Sequence, residues 1–364
     1  MFSDQGCRER SRALNIIGCD LHTRYQQIAG LDRATGEMVS RRLEHENGEA
    51  RTFYKSLAPG ARVGIEATFP AHWFERLLAE CGHELWVGDA ARIRASEVRR
   101  QKTDVRDAEL LLDLLLKDSF PRIWVPSVEE RDLRQLLIHR NKVVRTRTAV
   151  KNQLQAMAIS QGVCRKRKLW SDRGRAELSG LTLLPWASRR RKELLLWLDQ
   201  LDATVKELDQ AVEEAAAGRA EVRRLRTHPG VGAVTGLAFV LTLGQVERFA
   251  NSRKLVSYLG LNPLEHSSGG RQRLGAITKQ GNSMLRWLLV EAGHTAARGD
   301  PELGRRYRRL KIRRASGTAK VAVARRLAVR LYWMLRQRID YAQLVRMSGS
   351  PSSAVVPPPA ESKV

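Results

Sequence analysis

The sequence predicts a mixed α/β domain followed by a mostly helical remainder. Three observations predict it. Apolar stretches of strand length recur between residues 14 and 87, separated by short polar segments. From about residue 104 the apolar residues take up helical spacing over long stretches. Carboxylates stand at the ends of two strand candidates and at the start of a strongly helical stretch.

In chain order, residues 1 to about 12 are polar and read as a loose tail. Strand candidates follow at Leu14–Leu21, Tyr25–Leu31 and Glu37–Leu43. The gaps are short, and Ala34-Thr-Gly36 reads as a hairpin turn. A helix at about Glu49–Leu57 precedes a strand at Arg62–Glu66. A helix at about Ala71–Cys81 precedes a strand at Glu84–Val87, and a helix spans Asp104–Lys117. Three strands, then helix, strand, helix, strand, helix is the order of the ribonuclease H-like fold. There the first strand, the fourth strand and a late helix carry acidic residues. This chain has acids at those three places, and the spacing predicts a domain over residues 13–122.

Pro121 and Pro126 flank a break. A long helix is predicted from about Val128 to Ala158, then the basic stretch Arg165-Lys-Arg-Lys168, then a helix from about Arg189 to Leu225. Leu194, Leu198, Leu201, Val205, Leu208 and Val212 alternate in steps of four and three, which is heptad spacing. Two readings fit: an amphipathic helix on a core, or a coiled-coil arm that pairs with its neighbour or with a second subunit. Residues 123–226 are therefore expected to form a helical linker or arm. His228-Pro-Gly-Val-Gly232 ends it and opens a third, helical region over residues 227–346. Residues 347–364, rich in Ser, Pro and Ala, have the composition of a disordered tail.

Sixty-four Lys and Arg against 39 Asp and Glu give the 364-residue chain a formal charge of +25. Charge of that size implies a polyanionic partner, because phosphate neutralisation with counterion release drives binding. Membrane attachment is not expected: the longest apolar stretch, near Val240, is about half a span. The N-terminus carries no signal-peptide pattern. Cys7, Cys19, Cys81 and Cys164 are scattered, with no CxxC pair, which suggests a reduced, cytoplasmic protein. The eight histidines do not cluster at ligand spacing.

The chemistry-bearing residues begin with four carboxylates. Asp20 ends the run Asn15-Ile-Ile-Gly-Cys-Asp20, and Glu66 follows Val63-Gly-Ile. Asp104 and Asp107 stand three apart in Lys102-Thr-Asp-Val-Arg-Asp-Ala108, so they share a helix face. Converging carboxylates are costly unless divalent cations offset them, and Mg²⁺ suits an all-oxygen set. A pair of such ions can activate the attacking and leaving oxygens of a phosphodiester. Taken alone, acids at a helix start also suit the helix dipole. Lys102 and Arg106 are placed to hold phosphate or to balance the acids.

A second constellation is Ser267-Ser-Gly-Gly-Arg271-Gln-Arg273, followed by Gly275-Ala-Ile-Thr-Lys279-Gln-Gly281 and Arg286. Glycine amides can approach a phosphate, and Arg271, Arg273, Lys279 and Arg286 supply positive charge. A serine here becomes a nucleophile if a base or metal removes its proton; a plain polar loop accounts for the same residues. Pro229-Gly-Val-Gly232 before a helix is similar to the turn of helix-hairpin-helix DNA binders, or is a helix start with no ligand. Between Arg305 and Arg338 lie thirteen Lys and Arg and no acid, with apolar residues interleaved, so one face can pack while another tracks phosphates.

Taken together, these words identify a family. Gly18-Cys-Asp20, Gly64-Ile-Glu-Ala67, Lys102 to Ala108, Pro229 to Gly232, Tyr258-Leu-Gly-Leu-Asn-Pro263, Ser267 to Gly270 and Ile277-Thr-Lys-Gln-Gly281 occur in a specific order and spacing. The chain resembles the DEDD-type insertion-sequence transposases, which have a RuvC-like N-terminal domain and a serine-bearing C-terminal domain. The pilin-gene invertase and the bridge-RNA-guided recombinases belong to that family. Its members typically have valine where Asn262 stands. The resemblance implies that Asp20, Glu66, Asp104 and Asp107 bind Mg²⁺. It implies that Ser268 is the nucleophile forming a phosphoserine link to DNA, with Ser267 the alternative. It further implies a homo-oligomer in which carboxylates of one subunit meet the serine of another, and in some members a guide RNA. Two rivals are a RuvC-like endonuclease using metal-activated water and a non-catalytic DNA-binding derivative.

Overall fold

The computed structural model describes residues 14–32, 35–67, 71–96, 103–165, 168–267 and 273–349. The chain divides into two units, Met1–Val125 and Pro126–Val364.

In the first unit the strands are β1 (Leu14–Leu21), β2 (Tyr25–Asp32), β3 (Met38–Glu44), β4 (Arg62–Glu66) and β5 (Glu84–Gly88). They form one sheet in the order β3-β2-β1-β4-β5. β1, β2 and β3 pair antiparallel, whereas β1, β4 and β5 run parallel. The helices are α1 (Glu49–Ser56), α2 (His72–Glu80), α3 (Ala90–Ala95) and α4 (Asp104–Leu116). This mixed sheet with helices is compatible with a ribonuclease H-like domain.

Alternation along the strands decides which face each residue serves. Ile17 and Cys19 of β1 and Val63 and Ile65 of β4 are buried with Phe53, Tyr54, Phe74 and Leu78 of α1 and α2. Ile16, one step out of phase, is buried with Ala108, Leu111 and Leu115 of α4. Gly18 and Gly64 lie on that second face, and both approach α4 or the residues that follow it. At Gly18 even a methyl group has no room: a Cβ there would lie 2.2 Å from the Ala108 carbonyl oxygen. Glycine therefore lets α4 lie directly on β1.

α3 is an element that the sequence pattern does not announce. It is six residues long, too short for an apolar period, and Asp89 starts it by accepting hydrogen bonds from the Ala91 and Arg92 amides.

The second unit opens with α5 (Val128–Ser160), started by a capping box between Ser127 and Glu130. α6 (Asp172–Ser179) and α7 (Pro185–Ala217) follow. Arg140 pairs with Asp209 and Arg147 with Asp202, while Arg190 reaches Gln153, so α5 and α7 run antiparallel. Leu194 and Leu198 of the heptad face are buried with Val150, Leu154 and Ala158 of α5. Val205 and Val212 are buried as well, and Leu201 and Leu208 are partly covered. That face is thus covered within the chain. The expected helix to Leu225 instead stops at Gly218, where glycine gives the helix little support, and α8 (Ala220–Arg226) starts anew.

α9 (Ala233–Leu243), a 3-10 turn at Val246–Arg248, α10 (Ser252–Tyr258), α11 (Ser283–Gly299), α12 (Pro301–Arg313), α13 (Ser316–Arg336) and α14 (Tyr341–Gly349) complete the unit. Its core joins Leu237, Phe239 and Leu241 of α9 to Leu289 of α11 and Leu327 and Leu331 of α13. Within this helical region β6 (Pro263–Glu265) and β7 (Leu274–Ile277) form an antiparallel pair, too short to show as an alternating pattern. The His228 turn is fixed at a close approach: Gly230 has φ +82°, and a Cβ there would meet the backbone of Ala292 and Ala296. Among the described residues no helix is long and apolar enough to cross a membrane.

Candidate active site

Asp20 is the next-to-last residue of β1 and Glu66 the last of β4. These strands pair in parallel up to Cys19 and Ile65, so the two acids follow at neighbouring positions. Both fall in phase with Gly18 and Gly64, on the α4 face. α4 runs against β1, which brings its first turn to the carboxyl ends of the strands. Ligands favour that edge of a sheet with parallel strands. Asp104 is the first residue of α4, and Asp107 follows one turn on. The cap itself is Thr103, whose side chain accepts from the Arg106 amide, so Asp104 is not needed for capping.

Asp20, Glu66 and Asp107 line one cleft with Ile93, Arg94, Leu110 and Leu111. Arg94 Nη2 stands 3.4 Å from Glu66 Oε1. Asp104 reaches Asp20 from another side, through His22: its Nε2 is 3.0 Å from Asp20 Oδ2 and 3.7 Å from Asp104 Oδ1. Tyr25 donates its hydroxyl to Asp104 Oδ2 at 2.8 Å. The Tyr25 ring stacks on His22 at 4.7 Å, and the Arg42 guanidinium lies 3.6 Å from the Tyr25 centroid.

Burial raises the Asp20 carboxyl above its ordinary value, His22 opposes that rise, and the charges of Asp107 and Asp104 add to it. Repulsion between like charges in a partly dry cleft is what a divalent cation relieves. The donor atoms suit one: Asp20, His22 and Asp104 each offer an atom, all within 4.8 Å of one another. Carboxylate oxygens are hard ligands of the kind such ions take. Reading the histidines only against one another misses His22, and nothing local singles out Tyr25. The available signal is that His22 stands two residues after Asp20, in the turn to β2.

In the second unit, Ser267 closes the β6–β7 pair. Its hydroxyl donates to Glu265 Oε1 at 2.6 Å and accepts from the Arg273 amide at 3.1 Å. Ser268 and Arg271 lie outside the described residues, as does Lys102. Arg273 is exposed, and Lys279 sits at φ +58° in the turn after β7. Arg286 is half-buried and donates from Nη1 to the carbonyls of Leu259, Gln280 and Gly281, so this edge of its guanidinium holds the turn rather than facing outward.

Along α12, Arg305, Arg306, Arg308, Arg309, Lys311 and Arg313 are exposed while Leu303 and Gly304 are buried. Two details depart from the expected division of faces. Ile312 is 85 % exposed instead of packing. Arg330 of α13 is buried and bonded to Asp300 and Glu302, which removes it from any phosphate-facing surface.

Comparison with known proteins adds the following. A family model of the DEDD IS110 type, described as Transposase, matches residues 17–159. A second, described as Transposase IS116/IS110/IS902 family, matches residues 222–308. A probable family 20 transposase of Pseudomonas aeruginosa is 29 % identical over 339 residues, 89 % of this chain and 97 % of that protein. The transposase for insertion sequence element IS1111A of Coxiella burnetii is 26 % identical, over 80 % of each chain. A putative transposase y4pF/y4sB of Sinorhizobium fredii is 26 % identical over 88 % of this chain and 83 % of its own.

Proposed function

We propose that this chain, which belongs to the DEDD-type insertion-sequence transposases, cuts and rejoins the DNA of a mobile element through Ser268 and a Mg²⁺ site made by Asp20, Glu66, Asp104 and Asp107. The observation that carries the metal part is the meeting of three acids from β1, β4 and α4 in one cleft, with Asp104 joined to Asp20 through His22. A bound cation would supply positive charge to the scissile phosphate and to the leaving oxygen. Asp20 and Glu66 hold their carboxylates at fixed strand ends, and α4 sets the other two against them. Tyr25 orients Asp104 by hydrogen bonding to one of its oxygens.

In this reading the Ser268 hydroxyl oxygen attacks the phosphorus. The bond from phosphorus to the leaving sugar oxygen breaks, and the serine proton ends on that oxygen. The product is a seryl phosphodiester, which conserves the bond energy. Attack by a new sugar hydroxyl reverses the exchange, so strands rejoin without ATP. Ser267 is already bonded to Glu265 and to the Arg273 amide, which favours Ser268 over it as the nucleophile. Lys102, Arg271, Arg273 and Lys279 are assigned to phosphate from the sequence, and within the second unit the exposed arginines of α12 add positive charge; the Nη1 of Arg286 is already committed to three carbonyls, so its share in that role falls to the rest of its guanidinium.

In the finer division residues 13–122 form a RuvC-like domain, 123–226 a helical linker or coiled-coil arm, and 227–346 the serine-bearing domain. The protein acts as a homo-oligomer in a cytoplasmic setting and, by kinship, with a guide RNA. Replacing Asp20 or Asp104 with Asn tests the metal site: recombination should vanish while DNA binding survives, because the lost charge serves the cation. Retained recombination in Asp20→Asn would remove the tetrad. Cleavage that persists in both Ser268→Ala and Ser267→Ala would replace this reading with a metal-activated water endonuclease.

A further inference from the structure

We propose that His22 is itself a ligand of the divalent cation, through Nε2, alongside Asp20 and Asp104, and that this nitrogen shifts the site's preference from Mg²⁺ toward Mn²⁺. The proposal rests on the metal-site reading above and adds a residue and a metal selectivity to it.

The separations carry the argument. An octahedral ion with bonds near 2.1 Å sets neighbouring donors about 3 Å apart and opposite donors about 4.2 Å apart. His22 Nε2 lies 3.0 Å from Asp20 Oδ2 and 3.7 Å from Asp104 Oδ1, inside that range. The donor atoms of all three residues fall within 4.8 Å of one another. The 3.0 Å contact is a hydrogen bond here, and an ion that replaced its proton would find both carboxylates and the imidazole close to the spacing of one shell.

The surroundings hold the imidazole ready. His22 begins the turn from β1 to β2, and its amide donates to the Tyr25 carbonyl at 3.0 Å. The Tyr25 ring lies against the imidazole with an interplanar angle of 27°. The same tyrosine uses its hydroxyl on Asp104 Oδ2, which leaves Oδ1 as the oxygen nearer His22. One side chain thus orients both the nitrogen donor and one of the oxygen donors. Support of this kind is what fixes ligand geometry around metal ions.

The alternative is that His22 is only a counter-charge to the two carboxylates. It makes a different prediction about the metal. Carboxylate sets suit Mg²⁺ and Mn²⁺ alike, whereas an imidazole adds affinity for the transition ion. A counter-charge changes both affinities together; a ligand changes their ratio.

The test uses the full chain and Mn²⁺ alone. Pulsed electron paramagnetic resonance of bound Mn²⁺ reads whether a nitrogen is directly attached. The expected result is ¹⁴N coupling in the wild-type protein, lost in His22→Gln. The Mn²⁺ Kd of that variant should rise by about tenfold or more, and the Mg²⁺ Kd, measured by competition, by clearly less. Bound Mn²⁺ without nitrogen coupling in the wild type overturns the proposal, and needs no variant to fold. Equal loss of both affinities in His22→Gln overturns it in favour of the counter-charge. If wild type and Asp20→Asn both fail to bind Mn²⁺, the metal-site reading falls and this proposal falls with it.

Discussion

Replacing Gly18 with Ala should damage the candidate active site without altering any of the four carboxylates proposed to hold metal. A Cβ at Gly18 would lie 2.2 Å from the Ala108 carbonyl oxygen and 2.4 Å from the Leu112 nitrogen, where ordinary contact begins at 3.4 Å. Both atoms are α4 backbone, so no side chain can turn aside. The helix must therefore retreat from β1 by about 1 Å, an overpacking that costs on the order of 1–3 kcal/mol. The first turn of α4 carries Asp104 and Asp107, and Asp20 stands two residues beyond Gly18. The retreat separates acids from β1 and β4 from acids of α4. Sites of this kind tolerate about 0.5 Å, and a misplacement of about 1 Å costs roughly 10²-fold in rate. Gly64→Ala is the control. Its Cβ would meet Leu115 Cδ1 at 2.8 Å and the Phe120 ring at 3.0 Å, both side-chain atoms. Metal-dependent cleavage rates and thermal melts of the two variants provide the comparison. A folded Gly18→Ala protein with wild-type cleavage would refute the reasoning, as would equal damage from Gly64→Ala.

Replacing Arg305, Arg306, Arg308 and Arg309 together should weaken binding to all DNA sequences alike. The slope of log K against log salt should flatten by about one unit for each phosphate that is no longer neutralised; an unchanged slope would take α12 out of the interface. The buried His228 makes acid stability a readout of the second unit. Its Nδ1 donates to the Pro229 carbonyl, its Nε2 faces Arg330, and burial lowers it to about 4. Because the folded value lies below the unfolded value of about 6.5, the stabilisation is complete above pH 6.5 and is lost as pH falls through about 4. Denaturant midpoints between pH 7 and pH 4 should fall less steeply in His228→Gln. Asp300 and Glu302, held below the ordinary carboxylate range, remain in that variant as the acid-sensitive background. Identical pH profiles would show that His228 stays uncoupled from folding.

Much of the first unit was legible because its strands are apolar runs of strand length set off by short polar segments, and β2 and β4 are buried along most of their length. Leu14–Leu21 and Arg62–Glu66 have the limits read from the sequence, and α4 begins at Asp104 as expected. α3, α6, β6 and β7 were not legible. Each spans eight residues or fewer, so local capping and pairing rather than periodicity define them. The stop of α7 at Gly218 was hidden because the apolar pattern runs on into α8 through Val222 and Leu225. Within the site, acids at strand ends and a helix start were visible as residue types at meaningful positions. The contacts of His22, Tyr25 and Arg94 with these acids were not, because they depend on which chain segments the sheet makes neighbours. Tyr25 and Asp104 are 79 residues apart yet share a hydrogen bond. Likewise Arg286 read as a free cation, whereas its bonds to three carbonyls arise only once the Tyr258–Gly281 segment folds back on itself.

The central claim is a seryl–DNA exchange that depends on the carboxylate-bound metal. Its most direct test is to incubate the full chain with DNA of its element end and Mg²⁺, then resolve the products under denaturing conditions. The account predicts a covalent protein–DNA adduct in the wild type that disappears without metal, in Asp20→Asn and in Ser268→Ala, while each protein still binds DNA. DNA cut to free ends with no adduct, at the same rate in Ser268→Ala as in the wild type, would contradict it.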